Sequence, residues 1–296
     1  MTGCDAATKM NRIVCSFCIV LCFLIMPADS FCESKSEKEY LEIIVKRLVR
    51  DGFEEKQIRA LFHRPEVQFE TRGISLFSVH REAKLNYDQF LSRANLRKAR
   101  MYMEKHQDTF QKTEKEYGVE KEIITAIMLV ETRLGTYLGG SSTLNILSTM
   151  AILSDPPSRD FIWQNMSKTK EHNRKEFNNW SDRKADWAYT ELKALLTYTR
   201  QQKIDPVSIA GSYAGAIGIC QFMPSNVVKL AKDGNQDGHI NLFDHADAIA
   251  SIANFLKAHG WRMGMQRQQQ YPVLLKYNYS KPYANTLMDI AQKLKG

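Results

Sequence analysis

From Glu120 to Gly135 the chain reads EKEIITAIMLVETRLG, and its apolar residues recur at the spacing of one helix face. At about 100° per residue, with Ile123 as origin, Val130, Leu134, Ile127, Ile124 and Met128 span one side, from about −20° to about 140°. Glu131 falls at about 80° on that wheel, between Ile127 and Ile124, so an acid points with the core residues. Lys121, Glu122, Thr125, Thr132 and Arg133 occupy the polar side, with Leu129 out of place among them. Upstream, from about residue 37 to 111, Ile43, Ile44, Leu48, Ile58 and Leu61 fit a second helical region, broken at Gly52 and Pro65. Between Ser154 and Asp186 a polar stretch of mixed charge predicts a solvated loop or a surface helix pair. Alternating Val, Ile and Thr are nearly absent and no repeat stands out, so the expected fold class is mainly α.

The 296 residues are 44% hydrophobic and 25% charged, which excludes wholesale disorder, a collagen-like chain and a polytopic membrane protein. Lys and Arg number 41 against 33 Asp and Glu, a formal net charge of +8 that suits an anionic partner such as nucleic acid, phospholipid or an acidic polymer. The N-terminus narrows that choice. Lys9 and Arg12 precede the apolar run Ile13 to Met26, followed by Ala28-Asp29-Ser30, the order of a cleavable secretory signal peptide over residues 1–30. At about 14 residues the run is short of the roughly 20 that span a bilayer. A lipid anchor on Cys32 is the rival, disfavoured by the bulk of Phe31 before it. Only Cys32 and Cys220 remain after such cleavage, so there is no disulfide framework and the chain relies on a core.

Three segments carry candidate chemistry. Desolvation of Glu131 among aliphatic groups raises its pKa and suits it to donate a proton, although the same placement fits a buried ion pair with an arginine from elsewhere. Residues 211–226, GSYAGAIGICQFMPSN, crowd Gly211, Ala214, Gly215, Ala216 and Gly218 together, letting a ligand or another backbone approach, with Ser212, Tyr213 and Gln221 as polar contacts. The segment lacks the Lys and Ser/Thr of a phosphate loop. DGNQDGHINLFD, residues 233–244, follows, with Asp233, Asn235 and Asp237 at positions 1, 3 and 5 of a calcium loop, Gly238 at its turn and His239 at the backbone-carbonyl position. Either Asp244 or Asp247 can close that shell, and an Asx/Gly turn without metal is the competing reading.

These segments resemble the lytic murein transglycosylases, most closely the membrane-bound lytic murein transglycosylase B family. The resemblance rests on GVEKEIITAIMLVETRLGTYLG, GSYAGAIGICQFMPSN, DGNQDGHINLFDHADAIASIANFLKAHGW and Tyr277-Asn278-Tyr279-Ser280-Lys281-Pro282-Tyr283-Ala284, in that order from Gly118 to Ala284. It implies a lysozyme-like catalytic domain over 111–296, with a helical region over 31–110 packing on it. The implied substrate is the peptidoglycan glycan strand, cut between N-acetylmuramic acid and N-acetylglucosamine with a 1,6-anhydro product. Glu131 matches the catalytic acid/base. Ser212, Gln221, Met223, Tyr277, Asn278 and Tyr283 match groove positions, and Arg159 matches an arginine contacting substrate. Asp233, Asn235, Asp237, the carbonyl of His239 and Asp247 match the ligands of a structural calcium ion, and no organic cofactor is implied.

The chain departs from the family where a short connection joins Trp261 to Tyr277, which predicts a more open groove, and where Cys220 replaces the usual glycine. The polar stretch is longer than the family's and is expected near the entrance. The resulting expectation is a periplasmic monomer acting on peptidoglycan, not on nucleic acid, with peripheral membrane association left open. Its alternatives are a hydrolysing muramidase on the same groove and a non-catalytic wall-binding protein.

Overall fold

Ser36 opens the first helix because its hydroxyl accepts from the Glu39 N–H while the Glu39 carboxylate accepts from the Ser36 N–H, a reciprocal cap. The computed structural model describes residues 36–80 and 85–295; the signal-peptide expectation and Cys32 lie outside these residues. Helix α1 (Glu37–Arg50) buries Leu41, Ile44, Val45 and Leu48 and ends before Gly52, whose φ of 93° stops it. Helix α2 (Glu55–His63) packs on α1. The Lys38 ammonium donates to the carbonyls of Phe62, Arg64 and Val67, so it caps the end of α2 where the helix runs out before Pro65.

Helix α3 (Thr71–Ser78), a 3-10 turn over Asp88–Leu91, α4 (Arg93–Lys105) and α5 (Gln107–Tyr117) complete the N-terminal region. Gly118, with φ 66°, turns the chain into α6 (Lys121–Thr132). Helix α6 is more deeply placed than its pattern suggests. Thr125, Leu129 and Thr132, assigned to its polar side, are all buried, because α4, α11 (His245–Ala258) and α13 (Lys281–Lys295) surround it. Leu129 is therefore an ordinary core residue. Glu131, in the last turn, is half-buried, as are Val130 beside it and Lys121 and Glu122 at the other end.

Helix α7 (Thr143–Ala151) has every residue buried between α3 and α9 (Arg174–Gln202). The polar stretch forms α8 (Pro156–Asn165), capped by Asp155, and the first turns of α9, so the helix-pair form of the expectation holds. The one two-stranded sheet among the described residues joins β1 (Ser141–Ser142) to β2 (Ala210–Gly211), antiparallel. Helices α10 (Pro224–Leu230) and α12 (Arg267–Tyr277) complete the set, and the mainly α fold class is as expected.

Contacts of α1 and α3 with α7, and of α4 with α6 and α13, join the N-terminal helices to the rest. Two acids fasten other elements to one another. Glu120, before α6, accepts from the Trp261 indole N–H and the Gly264 N–H. Glu191, on α9, accepts from the N–H and hydroxyl of Ser225 in the first turn of α10, a carboxylate placed at a helix N-terminus.

Candidate active site

The last turn of α6 aims Glu131 into a cleft of about 1210 Å3. The helix stops there because Arg133 and Leu134 adopt φ of 51° and 63°, with their N–H groups bonded to the carbonyls of Leu129 and Met128. The helical wheel therefore ceases to apply at Leu134. Thr132 pins the end of the helix to the small-residue segment, since its hydroxyl donates to the Ile219 carbonyl at 2.9 Å and accepts from the Gly135 N–H at 3.0 Å.

The small residues are required by backbone contact. A Cβ on Gly211 would lie 2.3 Å from the Ala216 carbonyl oxygen, and one on Gly218, at φ 73°, 2.5 Å from Leu242. Between them Ser212 closes a tight loop, its hydroxyl oxygen accepting from the N–H groups of Ala214 and Ala216. Those partners are backbone amides and not a base, which fits a positioning group and not a nucleophile. Ile217 and Phe222 then pair across a turn that holds Gln221 at φ 50°, with its side-chain amide donating to the Gly218 carbonyl. Non-glycine residues hold that conformation only where surrounding structure imposes it.

Tyrosines from α12 and α13 close the floor. The Tyr283 hydroxyl donates to a Glu131 carboxylate oxygen at 2.6 Å, and the Tyr277 hydroxyl donates to the Cys220 carbonyl at 2.6 Å. Burial of the phenol, with the Glu131 charge beside it, pushes Tyr283 well above the ordinary tyrosine range; burial does the same for Tyr277, helped by Cys220 and Glu131. Both phenols therefore remain protonated donors. Glu131, Ser212, Gln221, Tyr277, Asn278 and Tyr283 thus line one cleft.

Two predicted positions do not line it. Met223 is the residue before α10 and packs against the core. Arg159 is held on α8, donating to the Leu153 carbonyl and pairing with Asp182 at 2.6 Å. The basic groups on the cleft wall are instead Arg72 and Lys184. Lys184 comes from the same polar stretch, with its ammonium 4.3 Å from the centre of the Trp187 ring, and burial, then Arg183, lower its pKa. An α9 helix starting near Asn173 was the signal that would have singled out Lys184 and Trp187, which lie three residues apart and so share a face.

Sequence reasoning also missed the part of the lining that comes from α3 and the 3-10 turn. Glu70, Arg72, Leu76 and His80, on and around α3, and Tyr87 and Phe90, near the 3-10 turn, face the same space. His80 and Tyr213 are hydrogen-bonded at 2.9 Å, joining this wall to the small-residue segment.

The acidic loop lies beside α11. Asp233 accepts from the N–H groups of Gln236, Asp237 and Gly238, Asp237 from His239, and Asn235 from Asp237. Asp244 caps α11 through Ala246 and Asp247, which commits it elsewhere. Asp247 is fully buried, accepting from the N–H groups of Gly234, Asn235 and Asn241, and burial raises its pKa despite those bonds. Among the described residues no Lys, Arg or His pairs with Asp233, Asp237 or Asp247, and no three His, Cys, Asp or Glu side chains are gathered tightly enough to form a metal cluster. A buried acid in an oxygen-rich loop without a basic partner fits a hard cation such as calcium.

The membrane-bound lytic murein transglycosylase B of Escherichia coli (strain K12) is 31% identical over 236 residues, covering 76% of this chain; the match spans 58% of the relative's length. The crystal structure of the soluble lytic transglycosylase SltB1 from Pseudomonas aeruginosa superposes with a TM-score of 0.68 at 27% identity, covering 86% of this chain and 98% of that one. The Escherichia coli lytic transglycosylase Slt35 in complex with calcium shares the fold, with a TM-score of 0.64 at 23% identity over 86% of this chain and 92% of that one. The family model for the transglycosylase SLT domain matches residues 36–271, from the capped start of α1 into α12, and the chain belongs to that family.

Proposed function

We propose that this protein is a lytic transglycosylase that cleaves the β-1,4 bond between N-acetylmuramic acid and N-acetylglucosamine in peptidoglycan, with Glu131 as its single acid and base. The observation that carries the reading is the Glu131 carboxyl held by Tyr283 on the floor of a cleft flanked by Ser212, Gln221 and Asn278. Similarity to a lytic murein transglycosylase supports the substrate class.

Glu131 in its acid form protonates the glycosidic oxygen as the C1–O bond breaks, and the substrate's acetamido group stabilises the positive charge developing at C1. The resulting carboxylate then takes the proton of the muramoyl C6 hydroxyl, whose oxygen bonds to C1. Glu131 is thereby reprotonated, and a 1,6-anhydro sugar forms without water. Ser212 and Asn278 orient the acetamido group and the hydroxyl. Gln221, Tyr277 and Tyr283 shape the floor.

Calcium, when bound, supplies a structural charge to the loop through Asp233, Asn235, Asp237, the His239 carbonyl and Asp247, remote from the proton transfers. The reading places the mature chain outside the cytoplasm, following the signal-like order of residues 1–30.

One observation favours a second reading. Glu70 lines the same cleft, and a second carboxylate could activate water and make the enzyme a hydrolase. Glu70 is partly committed, since it caps α3 by accepting from the Gly73 N–H. Mass spectrometry of digested sacculi separates the two: anhydro ends support the transglycosylase, whereas reducing muramic ends alone overturn it. Glu131→Gln keeps the shape and removes the acid, and turnover is expected to fall about 10²–10⁴-fold; undiminished release by the pure variant sinks the assignment of Glu131, whereas no release by the unsubstituted protein leaves wall binding as the function.

A further inference from the structure

We propose that Tyr137 and Tyr279 are stacking platforms for the N-acetylhexosamine rings of a glycan in the cleft, fixing where the strand lies relative to Glu131. This deepens the reading of the cleft as a glycan site and rests on it.

Of the seven large apolar side chains left exposed among the described residues, four line this one cleft: Leu76, Leu85, Tyr137 and Tyr279. The two tyrosines are the only aromatic rings among the seven, at 71% and 91% exposure, while the other described rings are packed or half-packed. Exposed apolar surface gathered in a polar-floored cleft marks a binding surface, not a packing remainder.

The backbone beneath each ring is fixed. Tyr137 donates its N–H to the Thr132 carbonyl at 2.9 Å, and the Thr136 hydroxyl donates to the Arg133 carbonyl, so the loop is tied to the end of the helix that carries Glu131. Tyr279 sits in the connection between α12 and α13, where the Ser280 N–H bonds to the Asn278 carbonyl at 2.7 Å and the Ala284 N–H to the Ser280 carbonyl. The Tyr283–Glu131 hydrogen bond links these two mounts, so both rings are referenced to the reacting carboxyl. A tyrosine has only two side-chain torsions to immobilise, and a rigid mount leaves little else to order when a ligand arrives.

The chemistry selects the ligand. A pyranose presents a flat face of C–H bonds and an edge of hydroxyls, while a tyrosine presents an apolar ring face and a phenol tip, so one ring can cover the face while its hydroxyl meets the edge. The floor supplies amide and hydroxyl groups from Gln221, Asn278 and Ser212, which suit acetamido sugars.

The test titrates full-length Glu131→Gln protein with a chitin tetramer by calorimetry, then repeats it with Tyr137→Ala, Tyr279→Ala, both together, and Tyr279→Phe added. Each alanine is expected to weaken binding about three- to tenfold, and phenylalanine to restore most of the loss at Tyr279. Thermal melts report on folding, and because both rings are exposed the variants should melt with the parent. Unchanged affinity in the double alanine variant overturns the stacking proposal while leaving the glycan cleft standing. Absence of tetramer binding by the parent, together with absence of muropeptide release by the Glu131 protein, overturns the functional reading instead.

Discussion

Glu131 was legible because an acid interrupts an otherwise apolar stripe, but the group that holds it was not legible from spacing. Tyr283 lies far along the chain on another helix, and only its place in a Tyr-Asn-x-Ser-x-x-Tyr-Ala motif pointed to it. Tyr283→Phe keeps the ring and deletes the donor. We expect kcat to fall about tenfold or more, from loosened aim of the carboxyl, with stability lowered by only about 1 kcal/mol; steady-state kinetics and urea unfolding measure the two. Glu120 and Glu191 escaped notice because a helical acid normally faces water and nothing local reports a distant N–H. Glu191→Ala strands the Ser225 N–H and hydroxyl and should cost about 2–4 kcal/mol in urea unfolding. A Glu191→Ala protein as stable as its parent would remove its role in fastening α10.

At the level of elements, helices were read more accurately than their surroundings. The breaks at Gly52 and Pro65 were local signals, whereas the charge pattern of the polar stretch left a solvated loop and a helix pair equally open. The burial of α6 on all sides depends on α4, α11 and α13, which periodicity within α6 cannot see. The junction of α4 and α5 offers a measurable consequence. His106 packs against the Tyr102 and His245 rings with its Nε2 buried and unbonded among the described residues. Burial first, then the charges of His245 and Lys105, hold its pKa below its ordinary 6.5, against the pull of Asp244. The unfolded chain therefore takes up a proton that the fold resists. This contribution to stability is present above about pH 6.5 and is lost as pH falls toward the lowered value. Melting temperature should decline from pH 7 to pH 5, and His106→Gln should flatten that decline. For the acidic loop, calcium at a hundred times its dissociation constant would add about 2.7 kcal/mol. We expect chelation to lower the melting temperature with little change in products, and Asp233→Ala to abolish the chelator effect; calorimetry without calcium uptake would reject the metal.

For the molecule as a whole, the sequence pointed to a catalytic segment with a helical region packed beside it, whereas the cleft takes one of its walls from α3 and the neighbouring 3-10 turn. That arrangement was illegible because it follows from how α1, α3 and α4 lie across α6 and α7, which are joined only by contacts far apart in sequence. Of the mixed-charge polar stretch, expected near the entrance, Lys184 lines the cleft and Arg159 does not. Cys220 then acquires a use. It is fully buried, its thiol is pushed far above the ordinary range by that burial, and its carbonyl receives the Tyr277 hydroxyl. A thiol so placed reacts with alkylating reagents only when the floor of the cleft comes apart. Its labelling rate, followed at its own peptide by mass spectrometry, is a clock for the opening of the cleft floor, and it should slow when a glycan occupies the groove.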